Sequence, residues 1–154
     1  MSMRLSTRGR YAIRAASNLA GRRGLEPVPL KTIAREEHIP LRYLEQLMNR
    51  MRRNGILKSA RGPGGGYWLS RSPGEISLGQ IISAIEGAVA VAGCVKPDRQ
   101  KNCMLENSCA SRLFWANLSA MIQSVMDSVT LQELISGNWR NKDFAFLFKT
   151  GKTP

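Results

Sequence analysis

Leu41-Arg42-Tyr43-Leu44-Glu45-Gln46-Leu47-Met48-Asn49-Arg50-Met51-Arg52-Arg53-Asn54-Gly55, followed by Ile56-Leu57-Lys58-Ser59-Ala60-Arg61-Gly62-Pro63-Gly64-Gly65-Gly66-Tyr67-Trp68-Leu69-Ser70, is the stretch on which the fold turns. Leu44, Leu47, Met48 and Met51 recur at helical spacing and make one apolar stripe, so residues 41–54 predict a helix. Arg42, Tyr43, Glu45, Gln46, Asn49, Arg50, Arg52 and Arg53 lie off that stripe. Gly55 supplies a left-handed stop. Two short β-like runs, 56–61 and 67–70, then flank a glycine-rich turn and predict a hairpin. The glycines do not make a P-loop, because no Lys-Ser/Thr pair follows them.

Upstream, Leu30, Ile33 and Ala34 give a short helix over 30–37, broken by His38-Ile39-Pro40. Glu26-Pro27-Val28-Pro29 is a connector. Residues 7–23 form a further helix, capped by Ser6 or Thr7, with Ala12, Ile13, Ala16, Leu19 and Ala20 on one face. Downstream, Pro73-Gly74 punctuates, and Ser77 opens a helix to Glu86 containing Ile81, Ile82 and Ile85. Residues 87–110 read as a loop. A long helix follows from about Ser111 to Ser128, with a stripe of Leu118, Met121, Ile122, Val125 and Val129 and one more turn or two over 130–135. Helix, short helix, turn, helix, hairpin is the order of a winged helix-turn-helix. The expected fold is therefore mainly α with a small β-hairpin wing, plus a long dimerisation helix. The expected units are a winged domain over 1–86, a cysteine-bearing loop over 87–110, a dimerisation helix over 111–136 and a tail over 137–154. The alternating Phe144, Phe146 and Phe148 leave the tail without a defined element.

Charge is segregated. The 154 residues carry 23 Lys/Arg against 11 Asp/Glu, a net +12, and 15 of those cations but only 4 of the acids fall in residues 1–72. Solubility alone gives no reason for such a division. A basic half beside a nearly neutral half points to a polyanion-binding module joined to something else. A membrane surface is a poor partner, since the cations lie on several segments rather than on one amphipathic helix. The longest apolar runs, 88–92 and 144–148, fall far short of the roughly 18 residues a membrane span needs. No apolar leader follows the charged N-terminus, so the cytoplasm is the expected compartment.

In a winged helix-turn-helix the third helix enters the major groove, and its first turns reach base edges. Arg42, Tyr43, Glu45 and Gln46 occupy those turns. Glu accepts from cytosine N4, and Gln bonds adenine bidentately. Arg50, Arg52 and Arg53 suit phosphates, while Arg61, beside Gly62 at the hairpin tip, suits a minor groove, with Gly64 of the same tip at the DNA. The expected partner is double-stranded DNA. A two-fold dimer packed through the long helix would read a roughly palindromic promoter site.

Cys94, Cys103 and Cys109 are separated by eight and five residues. Their odd number argues against simple pairing, and a cytosolic setting favours ligands or sensors. Three thiolates on one loop can hold three corners of an iron–sulfur cluster, 2Fe–2S or 4Fe–4S. They can also bind zinc with one further ligand, or stand as ordinary thiols, because these gaps match neither ferredoxin nor zinc spacing. The one histidine, His38, sits at the turn before the third helix and reads as structural or solvated. With no His-based acid/base or nucleophile arrangement, an enzyme is not expected.

Met3 to Ala12, Tyr43-Leu44-Glu45-Gln46-Leu47 and Arg61-Gly62-Pro63-Gly64-Gly65-Gly66-Tyr67 together resemble the signature segments of the Rrf2 family, over Met3 to about Ile135. The resemblance implies a dimeric winged-helix transcription factor, base reading by Glu45 and Gln46, and a wing role for Arg61. Cluster-binding members of that family carry three cysteines in the corresponding loop, which implies a cluster on Cys94, Cys103 and Cys109. The sequence departs from the prototype of those members at Arg112, where the prototype has a histidine ligand; a guanidinium is permanently protonated and cannot ligate iron. Asp98, Glu106, Ser108, a partner-subunit side chain or a small exogenous ligand remain as sources of a fourth bond.

Overall fold

Ala12, Ala15 and Ala16 are fully buried along one face of the first helix, and their small side chains let the other elements close in on it. The computed structural model describes residues 6–22, 26–96 and 108–144. Helix α1 (Thr7–Ala20) starts where Ser6 accepts a hydrogen bond from the Gly9 N–H. It stops three residues short of the expected end, at Gly21, whose weak helical preference ends the propagation. Helices α2 (Leu30–Glu37) and α3 (Leu41–Arg53) form the helix-turn-helix. The turn rests on His38, at φ 52°. Ile39 then donates to the Ala34 carbonyl at 3.0 Å and buries its side chain, a Schellman-type stop with a histidine in the left-handed position. This gives the lone histidine its structural role. Arg14 pairs with Glu37, and Asn18 and Arg22 with Glu36, so α2 is clipped to α1 along its polar edge.

The wing is the antiparallel pair β1 (Leu57–Ala60) and β2 (Gly66–Leu69), in the register Leu57↔Leu69 to Ala60↔Gly66. Val28, between its two prolines, adds a one-residue edge: its N–H and carbonyl both bond Tyr67 at 2.9 Å. Proline is tolerated on such an edge because only Val28 donates to the ladder. The connector is thus part of the wing, which its composition did not reveal.

Helix α4 (Leu78–Glu86) opens on a reciprocal capping box between Ser77 and Gln80. The stretch 111–136 holds two helices, α5 (Ala110–Asp127) and α6 (Leu131–Ser136), because Thr130 and Glu133 form a second capping box that starts the chain afresh. The two boxes face each other: Leu78 donates to the Val129 carbonyl at 2.8 Å and Leu131 to that of Ile76 at 2.9 Å. Leu131 is fully buried in the same core as α1, α3 and the wing strands. The winged domain therefore has a structural member from beyond α5.

Thr130→Ala is expected to cost about 1 kcal/mol, read as a fall of roughly 2–4 °C in Tm. The Thr130 N–H and the Lys142 ammonium hold the Glu133 carboxyl below its ordinary value. A lowered folded-state value means that this contribution is full above the ordinary carboxylate range. It is lost as pH falls through the lowered value, so the stability difference between the wild type and Glu133→Gln should shrink in acid.

Along α5 the expected stripe is only half covered. Val129, just past the helix, is buried and Leu118, Met121, Ile122 and Val125 are half-buried; off the stripe, Ser119 is the buried residue within α5, and Leu113 and Phe114 are 55% and 59% exposed. Of the tail, a short turn spans Asn138–Asn141; Phe146 and Phe148 lie outside the described residues.

Candidate nucleic-acid interface and cysteine segment

Burial of Leu44, Leu47, Met48 and Met51 fixes the rotation of α3, and everything else follows from that. Arg42, Glu45 and Gln46 lie exposed on its outer face, at the i, i+3 and i+4 spacing that groups side chains on one surface. Arg52 and Arg53 are exposed in the last turn, where cations also suit the negative end of the helix dipole. Tyr43 is half-buried, its ring edge-on to Tyr11 with centroids 5.8 Å apart, so it braces α3 against α1. Arg50 donates from Nη1 to the Ile85 carbonyl at 2.9 Å, tying α3 to the end of α4.

At the wing tip, Arg61 and Gly64 are exposed. Gly62 and Gly64 have φ of +93° and +78°, and Gly65 donates back to Gly62 at 2.9 Å, which turns the chain within four residues. Among the exposed cations that the sequence pattern did not single out are Lys31 and Arg35 on α2, and Lys58 on β1 opposite Trp68. Their signal was present only as net charge; nothing in their spacing marked them.

Cys94 lies in a single turn, Gly93–Val95, packed on α5, and is half-buried. Cys109 is the N-cap residue of α5, also half-buried. Its sulfur is 3.2 Å from the Ser111 hydroxyl. That hydrogen bond, then the Arg112 N–H, hold its thiol below the ordinary range, which favours the thiolate that metals and oxidants require. Val95, Cys109, Arg112, Leu113 and Ala116 line one cleft of about 380 Å³, so the two cysteine-bearing ends approach the same space. Cys103, with Asp98 and Glu106, lies outside the described residues; Ser108 is exposed just before α5. Among the described residues no three His, Cys, Asp or Glu side chains gather as a metal site.

The profile of the Rrf2 family, described as iron-dependent transcriptional regulators, matches residues 5–137. The chain belongs to the Rrf2 family. An HTH-type transcriptional regulator IscR of Pectobacterium carotovorum is 40% identical over 134 residues, 87% of this chain and 80% of that protein. Among solved structures, CymR, the global cysteine regulator of B. subtilis, is 33% identical and superposes with a TM-score of 0.69, over 88% of this chain and 98% of its own. The IscR of T. potens is 30% identical with the same TM-score of 0.69, over 93% of both chains. The winged helix described above is thus that of an Rrf2 transcriptional regulator acting on DNA, as its residues led us to expect. No helix among the described residues is long and apolar enough to cross a membrane.

Proposed function

We propose that this Rrf2 protein is a cytoplasmic, homodimeric regulator that reads a roughly palindromic promoter site and holds an iron–sulfur cluster on Cys94, Cys103 and Cys109. The observation that carries the cluster reading is the partly apolar cleft beside α5, which Cys109 lines together with Val95, the neighbour of Cys94 in its turn. The donor chemistry fits, since half-buried thiolates are the ordinary ligands of such a cluster. When bound, the cluster supplies a redox- and gas-sensitive centre; the protein's part is to translate its presence into position. Arg112 lines the cleft without being able to ligate, so the fourth bond beside the three thiolates comes from another source, Asp98, Glu106, Ser108, a partner-subunit side chain or a small exogenous ligand.

Glu45 and Gln46, with Arg42, would read base edges, and Arg52 and Arg53 would hold phosphates. Arg61 and Gly64 would enter the minor groove. Tyr43 would set the pitch of α3 by bracing it. Dimerisation is supported by α5, whose exposed Leu113 and Phe114 leave an apolar end that a second copy can cover. A two-fold partner would place two copies of α3 about 34–36 Å apart, one turn of DNA.

A cluster-free thiol switch on the same fold is the second reading. It is favoured by likeness to CymR, which is named for cysteine regulation, and by Arg112 where a ligating side chain would serve. Anaerobic purification and reconstitution separate the two. The cluster reading expects a coloured protein with iron and sulfide bound. It also expects Cys103→Ala to lose both while keeping its helical circular dichroism. A colourless, iron-free wild type, or a Cys103→Ala protein that keeps its iron, would overturn it.

A further inference from the structure

The recognition helix reaches the end of α4, where the cysteine segment begins, through one hydrogen-bonding side chain set beside the apolar packing of the two helices. The last carbonyls of a helix have no partner of their own. In α4 the Ile85 carbonyl is one of these, and the Arg50 guanidinium of α3 takes it at 2.9 Å. Among the described residues, this is the one side-chain hydrogen bond that leaves α3 for another element. It is also charge-assisted and aimed at the negative end of α4. Two residues later Gly87 adopts φ 83° and ψ −167°, a conformation essentially restricted to glycine, and sets the direction in which the chain leaves α4 toward Cys94. The far side of that stretch is pinned as well. Val91 donates to the Ser119 hydroxyl at 3.1 Å, and that hydroxyl donates to the Trp115 carbonyl at 2.7 Å. Ser119 is the buried residue of α5. The segment 87–96 is therefore strung between α3, through Arg50 and the end of α4, and α5, through Ser119.

We infer that Arg50 is a positioning residue that couples the segment carrying Cys94 to the DNA-reading face of α3. A shift of the segment moves the end of α4, and the guanidinium carries that shift to the last turns of α3. Coupling of this kind is reciprocal: if the segment biases DNA affinity, DNA binding biases the segment by the same factor. The inference rests on reading the cysteine segment as the sensor, but it needs no metal to be tested. It also gives Arg50 a different task from the phosphate contact that its sequence position suggested.

The test follows the reciprocal direction in metal-free protein. Cys94 is alkylated with iodoacetamide, and its rate is resolved by peptide mass spectrometry. The reaction is run with and without a saturating 30-base-pair duplex, chosen by the wild type from a random pool. With iodoacetamide dilute enough that alkylation is slow against exchange of the segment between its positions, the rate reads their equilibrium, and in the wild type the duplex should change it by about 5-fold or more, the lower end of ordinary coupling. In Arg50→Met, which keeps the stem and loses the donors, the two rates should coincide at saturation, whatever the affinity. Arg50→Lys retains the charge without the planar fork. It should restore DNA affinity if phosphate contact is the real role, and should leave the coupling reduced if the tie is. A duplex effect absent from the wild type, or equally large in Arg50→Met, overturns the inference. So does a fall in Tm with an unchanged duplex effect, which would make Arg50 merely structural. None of these outcomes depends on iron content, so failure of the cluster reading would be seen separately.

Discussion

Gly66→Ala is expected to be the most damaging small substitution in this protein, costing about 3 kcal/mol or more, the upper part of the range for forced overpacking. A methyl group there would lie 2.2 Å from the Val28 carbonyl oxygen, 2.3 Å from its carbon and 2.8 Å from the Pro29 nitrogen. These are backbone atoms, so no rotamer change relieves the clash. To admit the methyl, the Val28 edge must leave Tyr67, which breaks two 2.9 Å hydrogen bonds. The wing then loses its attachment to the connector between α1 and α2. Thermal unfolding should show a drop of roughly 6–12 °C, taking 2–4 °C per kcal/mol for a chain of this size. Gly64→Ala is the control. Its φ is +78°, but a methyl there meets nothing within 4 Å, so only backbone strain of about 1–2 kcal/mol is expected. Equal losses at the two positions would mean that close approach is not what Gly66 provides.

That contrast shows what a single sequence can carry. The glycine run was legible as a turn, because positive-φ positions need glycine and a short β-like run flanks it on each side. Nothing in Gly64-Gly65-Gly66 says which glycine serves the turn and which serves a neighbour 38 residues upstream, since the neighbour is fixed by tertiary packing. The same limit explains Val28. Prolines on both sides mark it as connector by composition, and its strand-like bond to Tyr67 exists only once the wing folds back. The stripe of α3 was legible residue by residue, because Leu44, Leu47, Met48 and Met51 repeat at the helical period and all four are buried. With that stripe fixed, the outward face bearing Arg42, Glu45 and Gln46 was fixed too. Tyr43 and Arg50 were harder, since each sits off the stripe and is claimed by a side chain or carbonyl from a distant segment. The break between α5 and α6 was half legible: Thr130 and Glu133 have capping-box spacing, but only packing of Leu131 into the core makes the break obligatory.

On the proposed reading of α3, Glu45→Ala and Arg52→Ala should fail in different ways. A carboxylate facing a polyanion is unfavourable unless it meets a donor, and in the major groove that donor is cytosine N4. Glu45 is exposed and accepts no hydrogen bond from a described residue, so its oxygens remain available to the groove. Replacing it with alanine removes both the favourable interaction at the right base and the repulsion at the wrong ones. Discrimination at one position of each half-site should fall by about 5- to 150-fold, the equivalent of 1–3 kcal/mol. Affinity for unrelated duplexes should rise at the same time. Arg52 offers a cation to phosphate and carries no sequence information. Arg52→Ala should weaken all duplexes alike and reduce the slope of log K against log salt by about 0.9 for each phosphate that is no longer neutralised. Binding curves on a selected duplex and on single-base variants, taken at three salt concentrations, measure both effects together. A Glu45→Ala protein with unchanged base preference would remove Glu45 from the reading face. A change of preference in Arg52→Ala would place that arginine against a base rather than a phosphate, and the depth of α3 in the groove would have to be redrawn from its C-terminal end.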